Sequence, residues 1–246
     1  MRSSRPRILH VPTALLLLLA GVPARAQLID TGTPPTVANW PIFPFGRASD
    51  VSYASLGQSF TVPSGTTFTQ LNEFDFWLRD NTITGTTPFY AYLFGWDPAT
   101  RMTGGSYLFR STAQSYTGAA TPTEFSFVTG GINLTAGQTY LAVLSSVEFP
   151  DAPVVLRPGA TQTTSWPNDT YAGGSSFVRN GPSGLATLTG GPWSLAGGTG
   201  TDLAFRATFA APGGGGTSTV PEPSSAALLA AGLLGVVAVA RRRRTR

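Results

Sequence analysis

Cysteine and lysine are absent from all 246 residues, and the single histidine, His10, stands near the amino terminus. Without cysteine no disulfide can brace the chain, so any folded body must hold together through its buried apolar core. Beyond position 10 there is also no imidazole. That excludes serine and cysteine triads of the usual kind, zinc centres and thiol redox chemistry from the rest of the chain. Neither a metal centre nor a cofactor is expected. Charge is sparse as well, at 11% of residues.

What charge there is falls unevenly. The formal net charge of +4 would suggest a nucleic-acid or anionic-lipid binder if it were spread over the chain. Four of the 16 basic residues precede Gln27, however, and five lie within Arg241 to Arg246. The intervening body has seven arginines against eleven acids, a net charge near −4. A mildly acidic body with no basic patch argues against nucleic-acid binding.

The amino terminus reads as a signal peptide over residues 1–26. Arg2, Arg5 and Arg7 precede the apolar run Ala14 to Ala20, and Ala24-Arg25-Ala26 forms an A-x-A cleavage pattern before Gln27. Its apolar core falls short of the about 20 residues that a membrane span requires.

Residues 27–211 are rich in Thr, Ser, Gly, Phe and Tyr, a composition that favours strands over helices. Period-two runs between turn residues predict strands over Gln58–Val62, Phe68–Leu78, Phe89–Trp96, Tyr107–Ser111, Glu124–Val128, Thr139–Val147, Ser176–Arg179 and Thr201–Phe209. No helix is predicted. The class is all-β, an antiparallel β-sandwich. In the last run Leu203, Phe205, Ala207 and Phe209 share one face, opposite Asp202, Ala204, Arg206 and Thr208. Around residue 75 the pattern sets Phe74, Phe76 and Leu78 against Leu71, Glu73, Asp75 and Trp77. Phe89–Trp96 is apolar on both faces, so that strand is central or has its outer face covered. Thr117–Pro122, Pro158–Gly174 and Asn180–Gly200 read as surface loops.

Residues 212–219 form a flexible Gly-rich linker, and residues 220–246 are tripartite. Val220-Pro221-Glu222-Pro223 is followed by the apolar Ser224–Ala240 and then by Arg241, Arg242, Arg243 and Arg244. As a helix the 17 apolar residues rise about 25 Å, just under a hydrocarbon core of ~30 Å. The positive-inside rule keeps the arginine anchor cytoplasmic and the body outside. This tail resembles the PEP-CTERM sorting signal, also described as an ice-binding-protein C-terminal domain. The resemblance implies a bacterial protein recognised by a membrane-embedded exosortase, processed near Pro221 to Pro223 and exported through the inner membrane to the cell surface or extracellular matrix. Signal peptidase is the implied partner at the other end. The ice-binding label belongs to the tail and predicts no ice-binding face in the body.

Gly57–Pro63, Phe74–Leu78, Tyr92–Asp97 and Leu134–Tyr140 are similar to phrases found in exported PEP-CTERM proteins with a jelly-roll, carbohydrate-binding-module-like body. They consist of turn and core residues. That resemblance implies a fold and leaves function open.

For function the sequence offers three readings. Sugar rings present apolar C–H faces that lie flat on aromatic rings, and the loop aromatics Trp166, Tyr171 and Trp193 are candidate glycan-binding residues. In the leading reading the body is a non-enzymatic surface or matrix protein that binds extracellular polysaccharide. In the second, Glu73 and Asp75, about 7 Å apart on one strand face, serve a carboxylate-dependent glycan hydrolase. The third is a purely structural coat or adhesin subunit. Asp50, Asp151, Asp169 and Asp202 are oxygen donors without the spacing of a calcium loop. Asn133-Leu-Thr135 and Asn168-Asp-Thr170 match the glycosylation sequon, which carries little weight in a bacterial protein.

Overall fold

The computed structural model describes residues 26–32, 42–44, 46–49, 52–80, 86–152, 160–162, 171–197 and 200–212. They fall within one compact unit, Arg25–Ser218. The signal peptide up to Arg25, the linker beyond Pro212, the sorting signal, Trp40, Trp166, Asp50 and Asp169 lie outside the described residues.

Two antiparallel sheets make up this unit. In the six-stranded sheet the order is β1 (Gln27–Asp30), β14 (Phe205–Ala210), β5 (Gln70–Asp80), β11 (Ala160–Gln162) and β2 (Ile42–Pro44), with β9 (Ala119–Asn133) also paired to β5. The eight-stranded sheet runs β13 (Ser194–Leu195), β12 (Ser176–Gly181), β4 (Ser52–Thr61), β10 (Thr139–Ser145), β6 (Thr87–Asp97) and β7 (Met102–Arg110). Its remaining members are β3 (Gly46–Ser49), beside β4, and β8 (Gln114–Tyr116), beside β6. The only described helix, α1, is the single turn Ala186–Thr189.

The expected all-β antiparallel class is therefore observed, and all eight predicted runs contribute strands, most of them longer than predicted. The sheets meet face to face because period two places one apolar row of each strand inward. Leu56 and Phe60 of β4 and Phe89 and Leu93 of β6 meet Phe74 and Phe76 of β5 and Phe205 and Phe209 of β14 in one cluster. Phe60 lies at its centre, with ring centroids 5.5 Å from Phe205 and 6.1 Å from Phe209. Each such ring withdrawn from water contributes about 1.5–3 kcal/mol.

Leu71 departs from the predicted alternation. It is buried in the core with Phe74 and Phe76 instead of sharing the outer face with Glu73. Pairing steps from Phe209↔Leu71 to Thr208↔Glu73, so Asn72 is the extra residue of a β-bulge. One inserted residue inverts the faces of everything before it. On the other side, β9 passes Asn72 with three residues between Val128 and Ile132, including Gly130 and Gly131 at φ of 77° and 89°.

All three predicted loops also differ. Within Pro158–Gly174, Ala160–Gln162 form β11, which pairs with β2 and β5. Ala119 to Pro122 already belong to β9, whose edge pairing draws them into extended backbone. Within Asn180–Gly200 lie the end of β12, α1 and β13. This segment covers the outer face of the eight-stranded sheet, where Leu185, Leu188 and Trp193 pack on Tyr92, Phe94, Trp96 and Phe177 in a second apolar cluster. β6 is thus both central and covered, which explains why it is apolar on both faces.

Candidate functional site

The three sequence-predicted aromatics divide. Trp166 lies outside the described residues. Trp193 is only 1% exposed, and its indole N–H donates to the Leu188 carbonyl at 3.1 Å. Thr103 Oγ1 donates to the same carbonyl at 2.9 Å, and the Trp193 amide donates to Arg101 O at 2.8 Å. With its faces packed and its polar edge satisfied, Trp193 is the keystone of the cover and presents no platform to a sugar. Tyr171 is half-buried, and its hydroxyl accepts from Thr61 N–H and donates to Thr61 O, both at 3.2 Å. Burial pushes that hydroxyl above the ordinary tyrosine range. Gly174 lets this segment close on β4, since a Cβ there would fall 1.8 Å from Ser59 O.

The candidate carboxylates Glu73 and Asp75 do share the outer face of the six-stranded sheet. Asp75 is 1% exposed and bound to Arg206 Nε at 2.7 Å, and Arg206 also pairs with Glu124 on β9. The Arg206 guanidinium lies 5.2 Å from the Trp77 ring centroid. Glu73 has its carboxyl raised above the ordinary range, first by partial burial and then by the Asp75 charge. An acid held by an arginine and a neighbour on the same strand make a cross-strand ion network. They are not two carboxyls opposed across a cleft.

Elsewhere the chain assembles aromatics that strand-by-strand reading passes over. Tyr90 and Tyr92 of β6 project from the outer face of the eight-stranded sheet beside Tyr107 and Arg110 of β7. The segment Ser146–Ala152 after β10 brings Glu148 and Phe149 to the same place. Tyr90 and Phe149 stack with centroids 4.7 Å apart and planes 24° from parallel. The Arg110 guanidinium sits 3.8 Å from the Tyr90 centroid. A ring has two faces, and partners this close take one each, so Arg110, Tyr90 and Phe149 form a three-layer stack.

Polar contacts fix that stack. Glu148 Oε2 accepts from Tyr92 Oη at 2.6 Å and pairs with Arg110 at 2.8 Å. Burial first, and then the Glu148 carboxylate, drive the Tyr92 hydroxyl far above the ordinary tyrosine range, so it remains a donor. Behind Phe149 the backbone is pinned: its N–H donates to Ser146 O at 2.9 Å, and Tyr53 Oη donates to the carbonyls of Phe149 and Pro150. Arg47 Nη1 donates to Ala152 O at 2.6 Å.

Phe149 also lines an open cleft of about 570 Å³, bounded by Thr86 and Pro88 on one side and by residues 148–152 on the other. Pro88, Phe149 and Pro150 supply apolar surface, and Glu148 and Asp151 supply acceptors. Tyr107, 42% exposed, stands nearby with its ring 6.0 Å from Tyr92. Such a cleft can hold an amphipathic ring, one face on Phe149 and its edge hydroxyls on carboxylates. The double-sided aromatic run over Phe89–Trp96 was the signal for it. Phe149 and Glu148 gave none, because only the fold brings them there. Among the described residues no group of three or more metal-ligating side chains occurs, and no helix is long and apolar enough to cross a membrane.

Residues 219–244 match the family described as PEP-CTERM protein-sorting motif. The chain carries that motif, which marks it as an exported surface protein sorted by an exosortase. No curated protein matches the chain. A solved structure that does match, a clostridial cysteine protease, Cwp84, after propeptide cleavage, is 10% identical with a TM-score of 0.43. The match covers 75% of this chain and 40% of that one, and at that score it bears on neither fold nor chemistry.

Proposed function

For a chain carrying a PEP-CTERM motif, we propose that the body over residues 27–211 is a non-enzymatic surface or matrix protein that binds extracellular polysaccharide at the Phe149 cleft. The observation that carries this reading is the three-layer stack of Arg110, Tyr90 and Phe149 beside that cleft. A platform already immobilised loses little conformational entropy when a sugar settles on it. The jelly-roll, carbohydrate-binding-module-like character of the body belongs to the same reading. So do removal of residues 1–26 by signal peptidase, a loose linker over 212–219 and passage of Ser224–Ala240 through the inner membrane. Recognition at Val220-Pro221-Glu222-Pro223, with Arg241–Arg244 held in the cytoplasm, completes it.

Pull-down of the full chain with the producer's own extracellular polysaccharide tests the reading. Phe149→Ala is expected to lower retention about tenfold or more, as for loss of a stacking aromatic. Trp193→Phe, a change within the cover, is expected to leave retention intact. Absence of retention, or retention indifferent to Phe149→Ala, would leave the structural coat or adhesin reading in its place.

A further inference from the structure

Among the described residues, the lining of the Phe149 cleft has charge of one sign only. Glu148 and Asp151 both contribute to it, and no described arginine does. The two described basic side chains nearby, Arg110 and Arg47, are otherwise engaged. Arg110 is stacked on the far face of Tyr90, away from Phe149, and paired with Glu148. Arg47 donates to the Ala152 carbonyl. The rest of the surface is low in charge, and the seven arginines of the body are outnumbered by its acids.

We propose that the polysaccharide held at this cleft is uncharged, a neutral glycan chain whose hydroxyls donate to Glu148 and Asp151, and that acidic glycans bearing uronate, sulfate or phosphate are excluded. This rests on the reading of the cleft as a glycan site and adds which glycans it takes. The chemistry is asymmetric. A carboxylate is acceptor-only, so it suits sugar hydroxyls, which are donors, and forms the stronger, charge-assisted kind of hydrogen bond with them. An anionic substituent brings a like charge and no donor, so discrimination arises from repulsion as much as from attraction. Phe149 adds no charge preference. It requires a ring with an apolar C–H face, which a neutral pyranose presents.

A cationic peptide would also be drawn to two carboxylates. Pro88 and Pro150 beside Phe149 argue for the sugar, because a saturated ring offers a guanidinium no π-face but packs against the apolar C–H face of a pyranose. Arginine would moreover compete for Glu148 with Arg110, already 2.8 Å away.

The test uses the full chain in mild detergent and three probes. Two are the neutral and acidic fractions of the producer's extracellular polysaccharide, separated on an anion exchanger, and the third is hexa-arginine. The neutral fraction is expected to bind at least about tenfold more tightly than the acidic one at low salt. The gap should narrow as salt rises to about 0.5 M, where the Debye length falls to a few ångströms. In Asp151→Asn, an exposed position whose change leaves the fold untouched, affinity for the acidic fraction should rise about threefold or more. The neutral fraction, retaining an acceptor there, should shift less. Equal or tighter binding of the acidic fraction would overturn this inference and leave the polysaccharide reading standing. Hexa-arginine binding more tightly than either fraction would overturn it too. Retention of neither fraction would bring down the polysaccharide reading itself.

Discussion

On the outer face of the six-stranded sheet, Asp75, Arg206 and Glu124 form a cross-strand ion network beside Trp77, while Val128 remains largely exposed. On the outer face of the eight-stranded sheet, Tyr92, Phe94, Trp96 and Phe177 share a buried cluster with Leu185, Leu188 and Trp193, and Tyr90 stacks on Phe149 of the cleft. Both sheets bury the same kind of inner row in one shared core. Their outer rows differ because an alternating strand such as β14 needs no second layer, whereas a strand apolar on both faces must find one. The second layer here is a Gly- and Pro-rich segment with a single turn of helix, tied down by hydrogen bonds from Arg179 to the carbonyls of Thr187 and Pro192. Where that layer stops short, aromatic surface remains for a ligand.

Removing the keystone should break this contrast most strongly. Trp193→Ala is expected to cost about 3–5 kcal/mol in urea denaturation, and to expose Trp96 and Phe177 to a hydrophobic dye. A loss under about 1 kcal/mol would mean that the segment merely lies against the sheet. On the opposite face, Asp75→Asn should cost about 1–3 kcal/mol, because Arg206 keeps only its more exposed partner Glu124. A neutral result there would show that the ion network contributes specificity without stability.

The smallest effect is expected at Glu73. Its carboxyl is raised in the folded chain, so the folded state holds that proton more tightly than the unfolded one. The contribution is present below the ordinary glutamate range and lost as pH rises through the folded value. Glu73→Gln should therefore raise the melting temperature slightly at about pH 7 and leave it unchanged at about pH 4. A destabilised variant at neutral pH would show that the ionised carboxylate is a needed member of the network.

Much of the fold was legible in the chain. Alternation at Leu203 to Phe209 named the inward row of β14 correctly, and the two-sided run at Phe89–Trp96 required a covered central strand. The face of Leu71 was not legible, because one apolar residue out of phase reads equally as an exposed leucine or as the mark of a bulge. Of the candidate site, the sequence offered tryptophan in a loop as the cue. Trp193 proved to be cover, because a large apolar side chain in a loop is stabilised by any nearby unburied face, and β6 and β12 provide one.

The sequence by itself determined what is local: the sorting motif, the separation of basic ends from an acidic body, the absence of imidazole and thiol chemistry beyond His10, and the all-β class. Each depends on residues adjacent in the chain or on composition. Only the tertiary structure decided which aromatics are buried and which line a cleft. Tyr90, Arg110 and Phe149 come together from three separate segments by the pairing of β6 with β7 and β10, and stacking at van der Waals distance depends on that register rather than on any spacing in the chain.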